Sequence, residues 1–133
     1  MTVPMSSGQV FEPITFSLTR ADLVAYAEAS GDPNPIHQDE EVARSVGLPG
    51  VIAHGMLTLG LAGRAVAVWT GEAEVVELGC KFTNPVVVPA SGSVEVVVSG
   101  SVKKVEDDLT TIALEVTCND VKVLGMPKAV VRA

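Results

Sequence analysis

The chain is poor in basic residues, and this scarcity excludes some classes of partner. Its 133 residues include 9 Lys and Arg against 16 Asp and Glu, giving a net charge of −7. Nucleic acids and anionic membranes bind proteins through clustered cations, so neither is expected as the main partner. A substrate that carries phosphate is not excluded, because a few local cations suffice to bind one.

Cysteine is also scarce. The two cysteines, Cys80 and Cys118, are far apart and show no spacing typical of a metal site. We therefore expect reduced thiols within strands rather than a disulfide or a catalytic thiol. No glycine-rich dinucleotide-binding motif is present. The sequence thus predicts neither a metal nor a redox cofactor.

No secretion signal or membrane span is recognisable in the sequence. Residues 1–8 contain neither the basic nor the apolar region of a secretion signal. The most apolar stretch, residues 51–69, contains His54 near its start and Arg64 near its middle, and both side chains are costly in a bilayer. A buried helix of a soluble, cytoplasmic protein is the better prediction.

Apolar residues are abundant, at 47% against 19% charged, which is enough for one domain with a hydrophobic core. Residues 1–9 are predicted to form a flexible N-terminal tail, and residues 10–133 a single domain. A strand is predicted over residues 10–18, followed by a helix capped by Thr19. A second, short helix is predicted to begin at Pro35, with Asn34 as its cap, and to end at Gly47.

The second half of the domain begins with a helix and continues as strands. Residues 55–69 are apolar nearly all round, which predicts an enclosed helix. Period-2 patterns and valine-rich runs predict strands over residues 76–83, 92–104, 111–118 and 121–131. Short turns indicate an antiparallel meander, so the predicted fold class is α+β, with the sheet wrapped around a long central helix. Because one sheet leaves an edge and a helix face to cover, we expect a dimer.

Asp32 and His37 are a candidate acid/base pair. A carboxylate and an imidazole held close on a stiff, proline-containing turn can orient a water molecule and move protons near neutral pH. Such a pair suits the addition or elimination of water. On spacing alone, a capping aspartate and a structural histidine are the commoner roles, since Asp in a Gly-Asp-Pro turn is ordinary.

Gly55 is a candidate oxyanion donor. If a helix begins there, its free N–H groups and positive end favour an oxyanion, although a glycine can also serve only close packing. His54 is a possible third functional group, and a structural histidine beside the turn is the simpler interpretation. Asp32, His37 and His54 show no recognised metal-ligand spacing, so no metal is predicted there.

Two motifs carry a resemblance to a known family. The run YAEASGDPNPIH at residues 26–37, then five residues and Ala43, resembles the long signature of the MaoC-like (R)-specific enoyl-CoA hydratase and (3R)-hydroxyacyl-ACP dehydratase family. AHGM at residues 53–56 resembles the second motif of that family at a fitting distance. The resemblance covers most of the chain and is strongest over residues 19–71. Within the family, the chain looks most like the catalytic subunit of actinobacterial heterodimeric dehydratases.

The resemblance implies a single hot dog fold with the helix of residues 55–69 at its centre. It implies that Asp32 and His37 activate water and that the Gly55 N–H binds the thioester oxygen. The supporting residues that it implies are Ser30, Asn34 and His54. The implied reaction is reversible hydration of trans-2-enoyl thioesters, or dehydration of (3R)-hydroxyacyl thioesters, carried by CoA or acyl carrier protein in fatty-acid or related lipid metabolism. It needs no cofactor.

The resemblance also raises the question of a second chain. Many eukaryotic relatives carry two fused hot dog halves, whereas this chain has one, so a homodimer or a heterodimer with a related hot dog subunit is implied. Two alternative functions stay open: a hot dog acyl thioesterase, and an acyl-binding subunit that supports a catalytic partner. The presence of both Asp32 and His37 favours the catalytic interpretation.

Overall fold

The computed structural model describes residues 3–132, and its first elements are strand β1 (Ile14–Leu18) and helix α1 (Arg20–Ser30). Thr19 caps α1, as predicted: its hydroxyl accepts from the Asp22 N–H, and the Asp22 carboxylate accepts from the Thr19 N–H at 2.8 Å. This reciprocal pair satisfies two donors at the helix start. Gly31 ends α1 with φ 77°, a left-handed conformation that glycine adopts without strain, and the chain turns there towards the site.

The prediction of one short helix from Pro35 to Gly47 is wrong. The structure has a 3₁₀ helix (Pro35–His37) and then a separate helix α2 (Glu40–Ser45). Each has its own cap, because the Asn34 side chain accepts from the backbone of the first and the Asp39 side chain accepts from the backbone of the second. Asp39 caps a new helix start inside the predicted range, so the predicted helix is divided into two short helices.

Helix α3 (Gly55–Thr70) occupies the predicted position but is not enclosed all round. Every fourth residue is exposed, which gives a solvent-facing stripe made of Met56, Gly60, Arg64 and Val68. The opposite side packs on the sheet, so a single chain covers the helix on one side only. No helix in the described part of the chain is long and apolar enough to cross a membrane.

The rest of the chain forms an antiparallel sheet with β1. Its further strands are β2 (Glu74–Phe82), β3 (Val94–Glu106), β4 (Leu109–Cys118), β5 (Val121–Lys122) and β6 (Leu124–Arg132). The order is β1-β3-β4-β6-β2, with the short β5 beside β4. The last predicted strand is therefore two strands, separated at Val123. The sheet packs against α3, which confirms the predicted α+β arrangement of an antiparallel sheet with a long central helix.

Alternating valines of β3 pack against the small residues of α3. Val96 and Val98 are fully buried, as are Ala62, Ala65 and Val66 of the helix. Small side chains let a helix backbone come close to a sheet, and each buried valine contributes about 1.5–3 kcal/mol relative to an exposed one. This core fixes α3, and with it the position of Gly55 at the helix start.

The N-terminal segment is predicted to be a flexible tail, but from Val3 onwards it is hydrogen bonded to the rest of the chain. The Val3 N–H donates to the Thr70 carbonyl at 3.1 Å, and the Gly8 N–H donates to the Val102 carbonyl at 2.9 Å. Val102 in turn donates to the Gln9 carbonyl at 2.8 Å. Residues 1 and 2 of the predicted tail lie outside the described residues.

Strand β2 lies at the edge of the sheet, and its outer side pairs with no strand between residues 3 and 132. The face that its sequence pattern predicts to be buried is partly open, with Val76 47% and Phe82 57% exposed. The alternation is interrupted by register shifts near Glu77 and Lys81. Exposed apolar residues on an unpaired edge strand are typical of a surface that meets another chain.

Candidate active site

A series of side-chain to backbone hydrogen bonds fixes the turn that carries Asp32. The Asp32 N–H donates to the Ser30 hydroxyl at 3.3 Å, and the Asn34 N–H donates to Asp32 Oδ1 at 3.1 Å. The Ile36 N–H then donates to Asn34 Oδ1 at 3.2 Å. In each bond a side-chain oxygen accepts from the backbone N–H two residues further along the chain. This is the usual way in which Ser, Asp and Asn stabilise turns. The Asp32 side chain is thereby held in one place while it remains exposed to solvent.

His37 follows directly and is buried, with its Nδ1 2.7 Å from the Ile52 carbonyl oxygen. A carbonyl oxygen can only accept, so Nδ1 carries the proton and Nε2 keeps a free lone pair. The backbone joins the same two segments, because the Ile52 N–H donates to the Ile36 carbonyl at 3.3 Å. The structure therefore presents His37 as a base at Nε2.

The structure brings Asp32 and His37 together without a direct hydrogen bond between their side chains. One carboxylate oxygen and one ring nitrogen lie within 4.8 Å of each other. This separation suits a single water molecule that donates to both acceptors. An exposed carboxylate beside a fixed imidazole can orient a water molecule and exchange protons with it.

His54 is the buried N-cap residue of α3, and it contacts both members of this pair. Its ring stacks on the His37 ring with centroids 3.8 Å apart and planes inclined by 21°, and its Nε2 donates to the Asp32 carbonyl at 3.3 Å. The ring edge of Tyr26 packs on it, with centroids 4.8 Å apart. Burial lowers the pKa of His54 below its ordinary value of 6.5; the hydrogen bond to the Asp32 backbone opposes this shift, and the nearby His37 adds to it. His54 is therefore a neutral imidazole.

Asp32, His37 and His54 each offer a potential metal ligand, and these atoms all lie within 4.8 Å of one another. The two histidine rings are nearly parallel, however, with their planes inclined by 21°. Because imidazole lone pairs lie in the ring plane, two stacked rings do not direct them at one ion unless a ring moves. The donor set fits a metal poorly, and the absence of a metal remains a prediction.

Gly55 is the first residue of α3. The Leu57 and Thr58 N–H groups donate to the His54 carbonyl at 3.1 and 3.2 Å, whereas no atom of residues 3–132 accepts from the Gly55 N–H. A free N–H at the positive end of a helix favours an anionic oxygen. A Cβ at this position would come within 2.8 Å of the Phe82 ring, so the close approach of this ring requires glycine.

A cavity of about 640 Å³ connects these groups. Five of the six predicted site residues line it, namely Ser30, Asp32, His37, His54 and Gly55. Asn34 does not; its side chain caps the 3₁₀ helix instead. The sequence did not indicate the rest of the wall, which includes Tyr26, Phe82, Val86, Val123 and Leu124. Tyr26 lies inside the first motif and was detectable there, whereas the others come from strands and loops without a motif.

The two cysteines lie in strands as expected, Cys80 in β2 and Cys118 at the end of β4, and both are free thiols. Burial raises the pKa of each thiol, which disfavours the reactive thiolate. Neither cysteine lines the cavity. The two thiols are therefore poor candidates for chemistry in the cavity.

The antiparallel sheet around a long central helix is a hot dog fold, and solved structures of that fold superpose on this chain. A MaoC-like dehydratase superposes with a TM-score of 0.91 and 33% identity, covering 96% of this chain and 40% of the other. The R-hydratase PhaJ1 from Pseudomonas aeruginosa, in its unliganded form, superposes with a TM-score of 0.83 and 25% identity, covering 96% of this chain and 82% of the other. The predicted fold is confirmed.

The sequence comparison defines the family. The profile of the MaoC-like domain matches residues 4–120, and the chain belongs to this family. One curated relative is the 3-hydroxyacyl-thioester dehydratase Y of Mycobacterium tuberculosis, 39% identical over 72 residues. That match covers 51% of this chain and 25% of the relative, so the chain corresponds to a part of the longer protein. The resemblance inferred from the two motifs is thus confirmed.

Proposed function

We propose that this protein is a hydro-lyase that reversibly adds water to trans-2-enoyl thioesters or removes it from (3R)-hydroxyacyl thioesters. One observation carries the proposal: the Asp32 carboxylate and the imidazole of His37 lie within 4.8 Å of each other at the wall of a cavity that also contains the start of α3. Family membership supports it, as do the names of the relatives. The thioester carrier is CoA or acyl carrier protein, in fatty-acid or related lipid metabolism.

In the hydration direction, Asp32 and His37 hold the attacking water. Its oxygen forms a bond to C3 of the enoyl group while the pair accepts one proton from the water, and the pair returns this proton to C2 from the same face. The C2–C3 double bond becomes a single bond, and the atoms of one water are added. His37 suits this proton transfer because its Nδ1–H bond to the Ile52 carbonyl leaves Nε2 free to accept.

As water adds to C3, negative charge builds up on the thioester oxygen. The Gly55 N–H at the start of α3 binds this oxygen, and the positive helix end supports it. A single donor of this kind typically lowers a barrier by about 2.7–4 kcal/mol. Ser30 and Asn34 act indirectly, since their side chains fix the turn that places the Asp32 carboxylate.

The cavity suits an acyl chain. Its volume of about 640 Å³ lies within the range of about 300–1,000 Å³ common for small-molecule sites. Beyond the turn, most of its lining residues are apolar, among them Val86, Val123 and Leu124, while Thr58, Thr83 and Asn84 add polar groups. An apolar wall beside a polar turn separates the acyl tail from the reacting carbons.

The proposal includes a second hot dog chain on the edge of β2. This strand has an unpaired side, and the exposed residues Val75, Val76 and Phe82 lie along it. Phe82 also lines the cavity, so the partner would lie beside the site. Pairing of two such strands would remove the exposed edge and cover apolar surface. The partner is a second copy of this chain or a related subunit.

Hydration of crotonyl-CoA by the purified chain tests the proposal. The reaction is followed as loss of the enoyl thioester absorbance, and the chirality of the product is determined. Formation of (3R)-hydroxybutyryl-CoA is the expected result. Release of free CoA would identify a thioesterase instead. If the folded chain alone shows no turnover with crotonyl-CoA, with longer enoyl-CoA or with enoyl-ACP, a related partner subunit is missing, and no turnover with that subunit supplied would refute the catalytic assignment.

A further inference from the structure

His54 is joined to each of the three groups to which the proposed function gives a catalytic role. Its ring stacks on His37, its Nε2–H donates to the backbone of Asp32, and its own peptide bond leads to Gly55. It is only 2% exposed and therefore has little surface with which to contact a substrate. A residue with these contacts acts through its neighbours.

We propose that His54 is a positioning residue that must stay neutral, and that it orients the His37 ring by stacking while its Nε2–H holds the Asp32 backbone. The proposal rests on the proposed function, because it assigns these contacts to the same site. It goes beyond that function by assigning two separable tasks to two parts of one side chain. The flat ring performs one task and the N–H group performs the other.

Stacking matters most when His37 takes a proton. A neutral aromatic ring beneath an imidazolium stabilises the positive charge through its π face. A protonated His54 would instead place two like charges 3.8 Å apart between ring centroids. The neutral state of His54 is therefore a condition for His37 to act as a base, and burial provides it.

The tautomer of His54 follows from its surroundings. The titratable groups that face it are Tyr26 from α1, Asp32 from the turn and His37 from the 3₁₀ helix. Its Nε2 must donate, because the Asp32 carbonyl can only accept. Its Nδ1 is buried and has no hydrogen-bond partner among residues 3–132. A proton on Nδ1 would be buried without an acceptor, so the neutral form with hydrogen on Nε2 is the stable one.

Two conservative variants separate the two tasks. His54→Phe keeps a flat ring for His37 but has no donor for the Asp32 carbonyl. His54→Gln keeps an N–H donor near the position of Nε2 but has no ring. His54→Ala loses both. Thr70→Val is the matched control, because Thr70 is also buried in α3 and its hydroxyl donates to the Val66 carbonyl at 2.7 Å, yet it does not line the cavity.

We expect His54→Ala to lower kcat by about 100-fold, the size of effect produced when a reacting group is misplaced by about 1 Å. His54→Phe and His54→Gln should each recover part of this loss, and KM should change less than kcat in all three variants. Thr70→Val should lower the thermal midpoint of unfolding. Its kcat should stay within about twofold of the wild-type value, well below a tenfold change.

The chain contains only two histidines, so nitrogen-15 NMR of the imidazoles reports on this arrangement independently of activity. In the wild type at pH 7, His54 should be neutral with hydrogen on Nε2, and His37 should carry hydrogen on Nδ1. Any variant at His54 leaves the His37 signals alone in the spectrum and thereby assigns them. These signals should stay sharp in His54→Phe and broaden in His54→Ala, which has no ring to hold His37.

Several results would overturn the proposal. These are a charged His54 or a hydrogen on its Nδ1 at pH 7, a wild-type kcat in His54→Ala, and an equal loss of kcat in Thr70→Val at the same loss of stability. The proposed function can fail separately. If the wild type, alone and with a related hot dog subunit, turns over no enoyl thioester, that function is wrong, whereas the NMR tautomers and line widths still decide whether His54 holds His37 and Asp32 as proposed.

Discussion

The ring of Phe82 lies against Gly55, so that a Cβ added to Gly55 would come within 2.8 Å of the ring carbon Cε1. Gly55 begins α3 and is the proposed oxyanion donor, while Phe82 ends the edge strand β2. This contact joins the start of the central helix to the edge of the sheet. The absence of a side chain at Gly55 is thus required by a residue far away in the sequence.

Gly55→Ala should reduce kcat/KM by about 100-fold, because the new methyl group displaces the Phe82 ring and shifts the helix start, even though the backbone N–H is retained. Removing the ring in Gly55→Ala/Phe82→Ala should restore part of the activity. Steady-state kinetics with an enoyl thioester checks both results.

Gly60→Ala is the matched control in the same helix, since its Cβ would meet no atom within 4 Å. It should keep full activity and gain about 0.5–1 kcal/mol of stability. Equal rates for Gly55→Ala and the wild type would contradict the role of this contact.

Asp32→Asn and His37→Ala should each lower kcat by about 10²–10⁴-fold, the usual contribution of a general acid or base. The asparagine side chain can still accept from the Asn34 N–H, so the turn and the melting temperature should change little in Asp32→Asn. Asp39→Asn is its control, because Asp39 caps α2 and does not line the cavity. It should retain the wild-type rate. Near-normal turnover in either site variant, measured on folded protein, would disprove the acid/base assignment.

The site turn was predictable because its structure is local. Ser30, Asp32 and Asn34 bond to backbone groups two residues away, and Thr19 bonds to a residue three positions away. Such contacts depend on residue type and spacing, which the sequence displays directly. The two motifs therefore identified Asp32, His37 and the helix start at Gly55 as candidates before any tertiary contact was considered.

The cavity wall and the exposed surfaces were not predictable in this way. Phe82 and Val123 reach the cavity only through the pairing of β2 with β6 and its register shifts, which depend on strands distant in sequence. The predicted enclosure of α3 also failed, because an apolar composition does not show whether the same chain or another one covers a face. The ring contacts of His54 with Tyr26 and with His37 join three separate segments and leave no periodic pattern.

Acidification should destabilise the protein through His54. Its pKa in the folded state lies below 6.5, because burial disfavours the charged ring, so the unfolded chain binds a proton that the folded chain does not. Stability should therefore fall as pH decreases from about 6.5 towards the lowered pKa, and this contribution should level off below it. Urea unfolding of the wild type and of His54→Phe between pH 5 and pH 7.5 measures the difference, with the carboxylates and His37 common to both. A difference that does not change with pH would contradict the lowered pKa.

The edge of β2 provides the last test, because the proposed second chain covers its exposed valines. Val76→Lys places a charge on the unpaired edge at a residue that is 47% exposed. A lysine there should prevent pairing of two edges, as it does on natural edge strands, so light scattering should show a monomer where the wild type is a dimer. Enoyl thioester hydration should fall with it, since Phe82 of the same strand lines the cavity. Val105→Lys is the control, because Val105 is similarly exposed at 43% but lies in β3, paired with Thr110 of β4 and separated from β2 by β4 and β6. A dimer that survives Val76→Lys would place the interface elsewhere, and a wild type that is monomeric and fully active would show that the site needs no second chain.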